Sequence, residues 1–174
     1  MRIEAAHAGV SRTAVDLVVL SDYLVADPRI VRDLHSRGVP HLPVRVRDGT
    51  GLVGPLVIPG VTSCLGCADL HRSDRDAAWP AIAAQLRDTV GVADRATLLA
   101  TAALALSQVN RVIAAVRGRE AVPDPAPPPA LNATLEFDIN AGSIVARQWT
   151  KHPLCSCGRP GVGRSTTRGV NRHG

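Results

Sequence analysis

Four cysteines set the strongest constraint on how this chain can fold. Cys64-Leu65-Gly66-Cys67 and Cys155-Ser156-Cys157 are two close pairs with residues 68 to 154 between them, and together they use every cysteine in the sequence. Each spacing turns two thiols toward one point, and two such knuckles complete a tetrahedral sulfur shell with no open position. The spacing therefore predicts one structural zinc ion held by Cys64, Cys67, Cys155 and Cys157, pinning two distant segments together. Gly66 is expected to relieve the first turn, and Gly158 to let the chain turn back after the second. Three other readings compete. Two disulfides are disfavoured where thiols are kept reduced. A thioredoxin-like pair at Cys64 and Cys67 wants a helix start directly after a strand. The polar run Asp69, His71, Arg72, Asp74, Arg75, Asp76 suggests no clear helix there. Four unrelated free thiols complete the alternatives.

The length of 174 residues suits one domain. Aromatic residues are only 2% of the chain, so its core must be built from Ala, Val, Leu and Ile. The net charge of +5 raises the question of nucleic acid. Most of it lies in Arg159, Arg164, Arg168 and Arg172, beyond the last cysteine and with no acid among them. The body is nearly neutral and carries no basic stripe with interleaved aromatics, so no nucleic-acid partner is expected. Residues 158–174 read as a disordered basic tail. No run of about 18 apolar residues points to a membrane span. Met1 to Val10 lack the order of a secretion signal. The expectation is a cytoplasmic protein.

Leu17-Val18-Val19-Leu20 is apolar without alternation, as in a parallel strand buried on both faces. Asp27-Pro28 opens a helix with an acidic N-cap and proline in its first turn. Ile30, Val31 and Leu34 give that helix an apolar face, and Gly38 ends it. Leu42 to Arg47 alternates as a half-buried or edge strand, so residues 16 to 47 form a βαβ unit. Asp48-Gly49 is a turn, and Leu52 to Ile58 reads as a strand interrupted at Gly54-Pro55. Trp79, Ile82 and Leu86 mark a short helix. A long helix runs from its N-cap Asp94 to Gly118, with Leu98, Ala102, Leu106, Val109, Ile113 and Val116 as its expected buried face. Residues 122–130 form a proline-rich linker. Leu135, Phe137 and Ile139 then alternate with Glu136 and Asp138. A turn at Asn140-Ala141-Gly142 and a return from Ser143 to Trp149 complete a hairpin.

His71 and His152 can tune the cysteine site from outside it, although a structural or solvent-facing role is the plainer expectation for each. No glycine-rich dinucleotide or P-loop motif occurs.

Several phrases resemble the carboxyl-terminal half of ThiF/MoeB-type adenylyltransferases, relatives of ubiquitin-activating enzymes. They are Asp16-Leu17-Val18-Val19-Leu20-Ser21-Asp22, the helix and strand that follow, Gly54-Pro55 and Cys64-x-x-Cys67. The run from Cys64 through Asp76, with Trp79-Pro80 and His152-Pro153-Leu154-Cys155-Ser156-Cys157-Gly158, is similar to actinobacterial cyclodehydratase-associated proteins. Those are the ThiF-like partners of YcaO enzymes in thiazole/oxazole-modified peptide biosynthesis. The resemblance spans residues 14 to 158. It implies an α/β fold over 1–157, an incomplete Rossmann-like (ThiF-type) sheet with helices and a zinc-pinned carboxyl-terminal hairpin. It implies a scaffold or partner subunit for a YcaO-type cyclodehydratase acting on a ribosomal precursor peptide. The alternatives are an adenylyltransferase, truncated here, and a non-functional remnant of one. By the same resemblance Asp22 matches the aspartate that helps adenylating members bind magnesium and ATP. Those members carry a glycine-rich nucleotide loop upstream of the matching strand. ATP and magnesium are therefore expected here only if the missing half is supplied, and a truncation or misassigned start is one reading of its absence.

An apolar strand near the chain terminus also carries an expectation about assembly. Leu17 to Leu20 is expected to lack neighbours on its amino side, and a bare apolar edge invites association. A homodimer or a heteromeric complex follows, with a YcaO-type enzyme and the precursor peptide as partners by resemblance.

Overall fold

The computed structural model describes residues 3–5, 15–117 and 126–158. A single six-stranded sheet runs in the order β1 (Ile3–Ala5), β2 (Leu17–Leu20), β3 (His41–Arg47), β4 (Thr50–Val53), β5 (Ala133–Asp138), β6 (Ser143–Gln148). The first three strands are parallel and the last three are antiparallel to their neighbours. The helices are α1 (Pro28–Ser36), α2 (Leu65–Arg75), α3 (Trp79–Gln85) and α4 (Arg95–Arg117).

The βαβ unit forms for the local reasons its sequence offers. The Asp27 side chain accepts the Arg29 amide at 2.7 Å, with Pro28 in the first turn of α1. Gly38 adopts φ 68°, a left-handed conformation that L side chains resist, and the chain turns into β3. Asp48 and Gly49, both with positive φ, close the β3–β4 hairpin, which pairs Arg45 with Leu52 and Arg47 with Thr50. β4 stops at Val53 instead of running on to Ile58. Beyond it only single bridges remain, Leu56 to Leu131 and Val57 to His41.

Strand alternation divides the sheet into two faces. Leu17, Leu42, Val53 and Leu135 pack on one side against Ala105 and Val109 of α4. Val18 and Leu20 pack on the other against Leu34 of α1 and Val39. The odd positions of β3, among them Arg45 and Arg47, share this second face, which α1, α2 and α3 roof over.

Four expectations are corrected. Leu17–Leu20 is not an edge strand: β1 pairs with it in parallel, Ile3 opposite Leu17 and Ala5 opposite Val19. A strand of three residues carries too short a pattern to be read. The charged run after Cys64 is a helix, α2, which starts directly behind that cysteine. Gly66 lies inside α2 without positive φ; a Cβ there would meet Cys64 Sγ at 3.5 Å and Cys155 Sγ at 3.6 Å. Its small size, not its backbone freedom, is what the position uses.

The buried face of α4 is also different in part: Val109 is buried and Ile113 packs against the core, as expected. Asp94 does cap the helix, accepting the Thr97 amide at 3.0 Å. Leu98, Leu106 and Val116, however, are 46%, 58% and 61% exposed. The buried stripe is Thr97, Thr101, Ala105, Gln108 and Val109. At Gly51 of β4 the helix comes so close that an added Cβ would overlap the Thr101 hydroxyl. Small residues make that approach feasible, and Leu98, Leu99 and Leu106 turn outward. α4 is the one described helix long and apolar enough to cross a membrane by composition; in this fold it lies along the sheet.

The Pro-rich linker is described only from residue 126, and residues 118–125 and the basic tail from 159 lie outside the described residues.

Candidate metal centre and the adjoining cavity

The two cysteine pairs meet. Cys64 Sγ lies 3.7 Å from Cys67 Sγ and 3.5 Å from Cys155 Sγ, and Cys67 Sγ lies 3.3 Å from Cys157 Sγ. All four sulfurs fall within 4.8 Å of one another. A disulfide requires sulfurs at about 2.05 Å, and none of the four is so paired. A tetrahedral zinc with Zn–S near 2.3 Å places its sulfurs about 3.8 Å apart, close to the spacing observed. The closest contacts cross between the two segments, which a Cys64/Cys67 redox pair does not need. The donor set and the spacing fit a closed four-thiolate metal shell.

Each knuckle is built by its surroundings. Cys64 caps α2 in extended conformation, and Cys67 sits one turn in, its amide bonded to the Cys64 carbonyl at 3.0 Å. Ser63 anchors this end of the helix, its amide donating to Asn132 Oδ1 at 2.8 Å. Asn132 takes positive φ at the entry to β5. The Cys155 knuckle closes with its amide on the His152 carbonyl at 3.0 Å. Burial pushes the Cys64 thiol up, and pushes Cys157 up to about 11. Burial also opposes ionisation of Cys67, but N–H groups of His152 and Cys64 directed at its sulfur outweigh it and draw it down to about 7.

His71 and His152 do lie beside the site, as structural groups. The His152 ring is buried, with Nε2 at 2.9 Å from Asp74 Oδ2. His71 Nε2 lies 3.1 Å from the Thr150 carbonyl. The two rings meet edge to face at 4.7 Å between centroids. Asp22 sits in the bend directly after β2, at the carboxyl end of the strand.

A cavity of about 500 Å³ opens between the second sheet face and the helices above it. Cys64, Cys155 and Cys157 form one wall, α1 and the loop Leu24–Ala26 another, and Arg45 and Leu52 part of the floor. It lies past the carboxyl ends of the parallel strands, where open α/β sheets place ligands. A smaller cavity of about 250 Å³ shares Arg45, Arg47, Arg72 and Trp79 with it and reaches Trp149. Arg72 is held between Trp79 and Trp149, 5.0 Å and 4.7 Å from the ring centroids. Asp69 fixes both its guanidinium, at 2.9 Å, and the Trp79 indole N–H, at 3.2 Å. Of these cavity residues, the cysteines and the run from Asp69 to Trp79 stood out in the sequence, and Arg45 and Arg47 did not. Arg45 and Arg47 read there as the polar positions of a half-buried or edge strand, and the available signal was a pair of cations on a strand followed by two tryptophans far apart in the chain.

No protein-family model matches the sequence, and no curated protein matches it. Solved structures do resemble it. E. coli MccB solved with ATP aligns at TM-score 0.56 and 19% identity, covering 82% of this chain and 39% of that one. The microcin C7 biosynthetic enzyme MccB in complex with N-formylated MccA aligns at TM-score 0.55 and 18% identity, covering 83% and 41%. A heterocyclase in complex with substrate and cofactor aligns at TM-score 0.59 and 15% identity, covering 82% and 20%. The chain thus spans about two fifths of MccB and one fifth of the heterocyclase. At these identities the likeness is one of fold, the α/β fold expected from the βαβ unit.

Proposed function

We propose that this chain is a zinc-bearing, ThiF-like scaffold that holds a ribosomal precursor peptide for a YcaO-type cyclodehydratase. The observation that carries the reading is the cavity beside the thiol cluster, which combines apolar walls with arginines and has room for a short peptide segment. The likeness in fold to MccB, solved with N-formylated MccA, and to a heterocyclase solved with its substrate supports a peptide as the ligand. Zinc on Cys64, Cys67, Cys155 and Cys157 has no open position, so it supplies rigidity to the cavity wall. The protein acts in the cytoplasm, as a homodimer or in a complex with the modifying enzyme. Reconstitution with a YcaO-type enzyme, ATP and precursor peptide tests this, with water loss from the peptide followed by mass spectrometry. The expected result is faster dehydration in the presence of the chain and retention of the peptide on the immobilised protein. Equal rates and no retention would overturn the reading.

A second reading, adenylyl transfer, draws on Asp22, which follows β2 at the strand end where such sheets bind nucleotides. Pyrophosphate exchange that disappears in Asp22→Ala would favour it. The expected result for this chain alone is no exchange.

A further inference from the structure

Three arginines line the cavity without an ion pair to a described residue, Arg32, Arg45 and Arg87; the first and last are exposed, and Arg45 alone is half-buried. Arg72 is neutralised by Asp69 at 2.9 Å, Arg147 by Glu136 at 2.7 Å, and Arg47 approaches Asp48 at 3.8 Å. Among the described residues Arg45 has neither a hydrogen bond nor an ion pair. It rises from the middle of β3 into the partition between the two cavities. Burial and the like charges of Arg72 and Arg47 bring it down to about 10, with Asp69 opposing. A half-buried guanidinium without a partner carries a desolvation cost, and five N–H donors in a planar fork are left without protein acceptors. Such a group is a donor site suited to an anion.

We infer that Arg45, with Arg47 and Arg72 beside it, is the seat of a carboxylate carried by the bound peptide. The choice of a peptide rests on the function proposed above; the choice of a carboxylate rests on the site. The guanidinium fork matches a carboxylate with two parallel hydrogen bonds. Leu52, Leu65 and Leu86 offer apolar contact to the residues flanking it. A nucleotide polyphosphate wants carboxylates to hold its magnesium. The one acid lining the larger cavity, Asp69, is already committed to Arg72 and Trp79.

The chain carries its own reporter. Its only two tryptophans, Trp79 and Trp149, are the rings that flank Arg72. The probes are a blocked pentapeptide Ala-Leu-Glu-Leu-Ala, its Gln counterpart and AMP, each titrated to millimolar concentration while tryptophan emission of the zinc-loaded full chain is followed. The Glu peptide is expected to give a saturable change that the Gln peptide reaches only at about tenfold higher concentration, the loss of one charge-assisted pair. Arg45→Gln should lose the preference for Glu over Gln, and Arg45→Lys should keep part of it. Arg45→Gln should also melt no lower than wild type, because it removes an unpaired charge; a merely structural arginine would lower the melting temperature. Equal responses to the Glu and Gln peptides, whether both bind or neither does, overturn the inference. A response to AMP with none to the Glu peptide also overturns it, assigning the site to phosphate. A blocked pentapeptide needs no modifying enzyme, so failure of the scaffold reading in reconstitution leaves this result standing, and the reverse also holds.

Discussion

His152 and Asp74 join the second cysteine knuckle to helix α2 through one oriented hydrogen bond. The Leu154 amide donates to His152 Nδ1 at 3.1 Å, so the ring proton resides on Nε2 and points at Asp74 Oδ2, 2.9 Å away. The backbone N–H of the same histidine is directed at the Cys67 sulfur. One residue therefore positions a ligand of each pair, from three residues before Cys155.

Asp74→Asn should loosen metal retention without removing a ligand. Its amide can present oxygen to Nε2–H, but the charge that orients the ring is lost. Partners of this kind typically change metal affinity by about 10-fold or more. Competition with a chromophoric chelator measures it; retention equal to wild type would show that the clamp is idle.

Metal content is the direct test of the cluster. The purified chain should carry about one zinc per molecule, bound by sulfur alone. Cys64→Ser and Cys155→Ser should each strongly destabilise the fold, since structural zinc couples roughly 10 kcal/mol or more of binding to folding. Protons compete for the same sulfurs, most strongly at Cys64 and Cys157, whose thiols are pushed up. Zinc release should therefore increase as pH falls. A well-folded chain with no metal by elemental analysis would refute the assignment.

Gly51→Ala should destabilise the fold by about 1–3 kcal/mol, the usual cost of overpacking. Its new Cβ would overlap the Thr101 hydroxyl. Gly51→Ala combined with Thr101→Ala should recover much of the loss, because the obstruction is a side chain. Denaturant melts of the two single variants and the double variant decide it; simple additivity would mean that the helix–sheet approach is not the cause.

Acid sensitivity should reach α4 through its cap. Hydrogen bonds from the Thr97 hydroxyl and amide hold Asp94 below its usual value of 3.8. The stabilisation is present above that value and is lost as pH falls through the lower folded one. Asp94→Asn keeps a good N-cap and should match wild type near neutral pH while showing a shallower acid limb. Identical acid limbs in thermal melts would remove Asp94 from the account.

The comparison of sequence with structure separates along physical lines. The N-caps Asp27 and Asp94, the left-handed Gly38, the hairpin turns and the apolar strand Leu17–Leu20 were legible because each depends on neighbours a few residues away. The grouping of four cysteines was legible too, since metal chemistry admits few other uses for such pairs. Which side of α4 is buried was not. Apolar and small residues surround that helix, so periodicity does not select a face; the close approach of Gly51 to Thr101 does. Helix α2 was hidden for a related reason. Its charged residues resemble a loop in one dimension, but Asp69 and Arg72 line a cavity floored by β3, and Asp74 holds a histidine from the far end of the chain. Arg45 carries the same lesson. On its strand it is one cation in an alternating pattern, and only the folding of α1, α2 and α3 over that face leaves it half-buried beside a cavity, without an ion pair among the described residues. Local sterics and capping were written in the sequence itself; enclosure, charge balance and the choice of face exist only once distant segments are brought together.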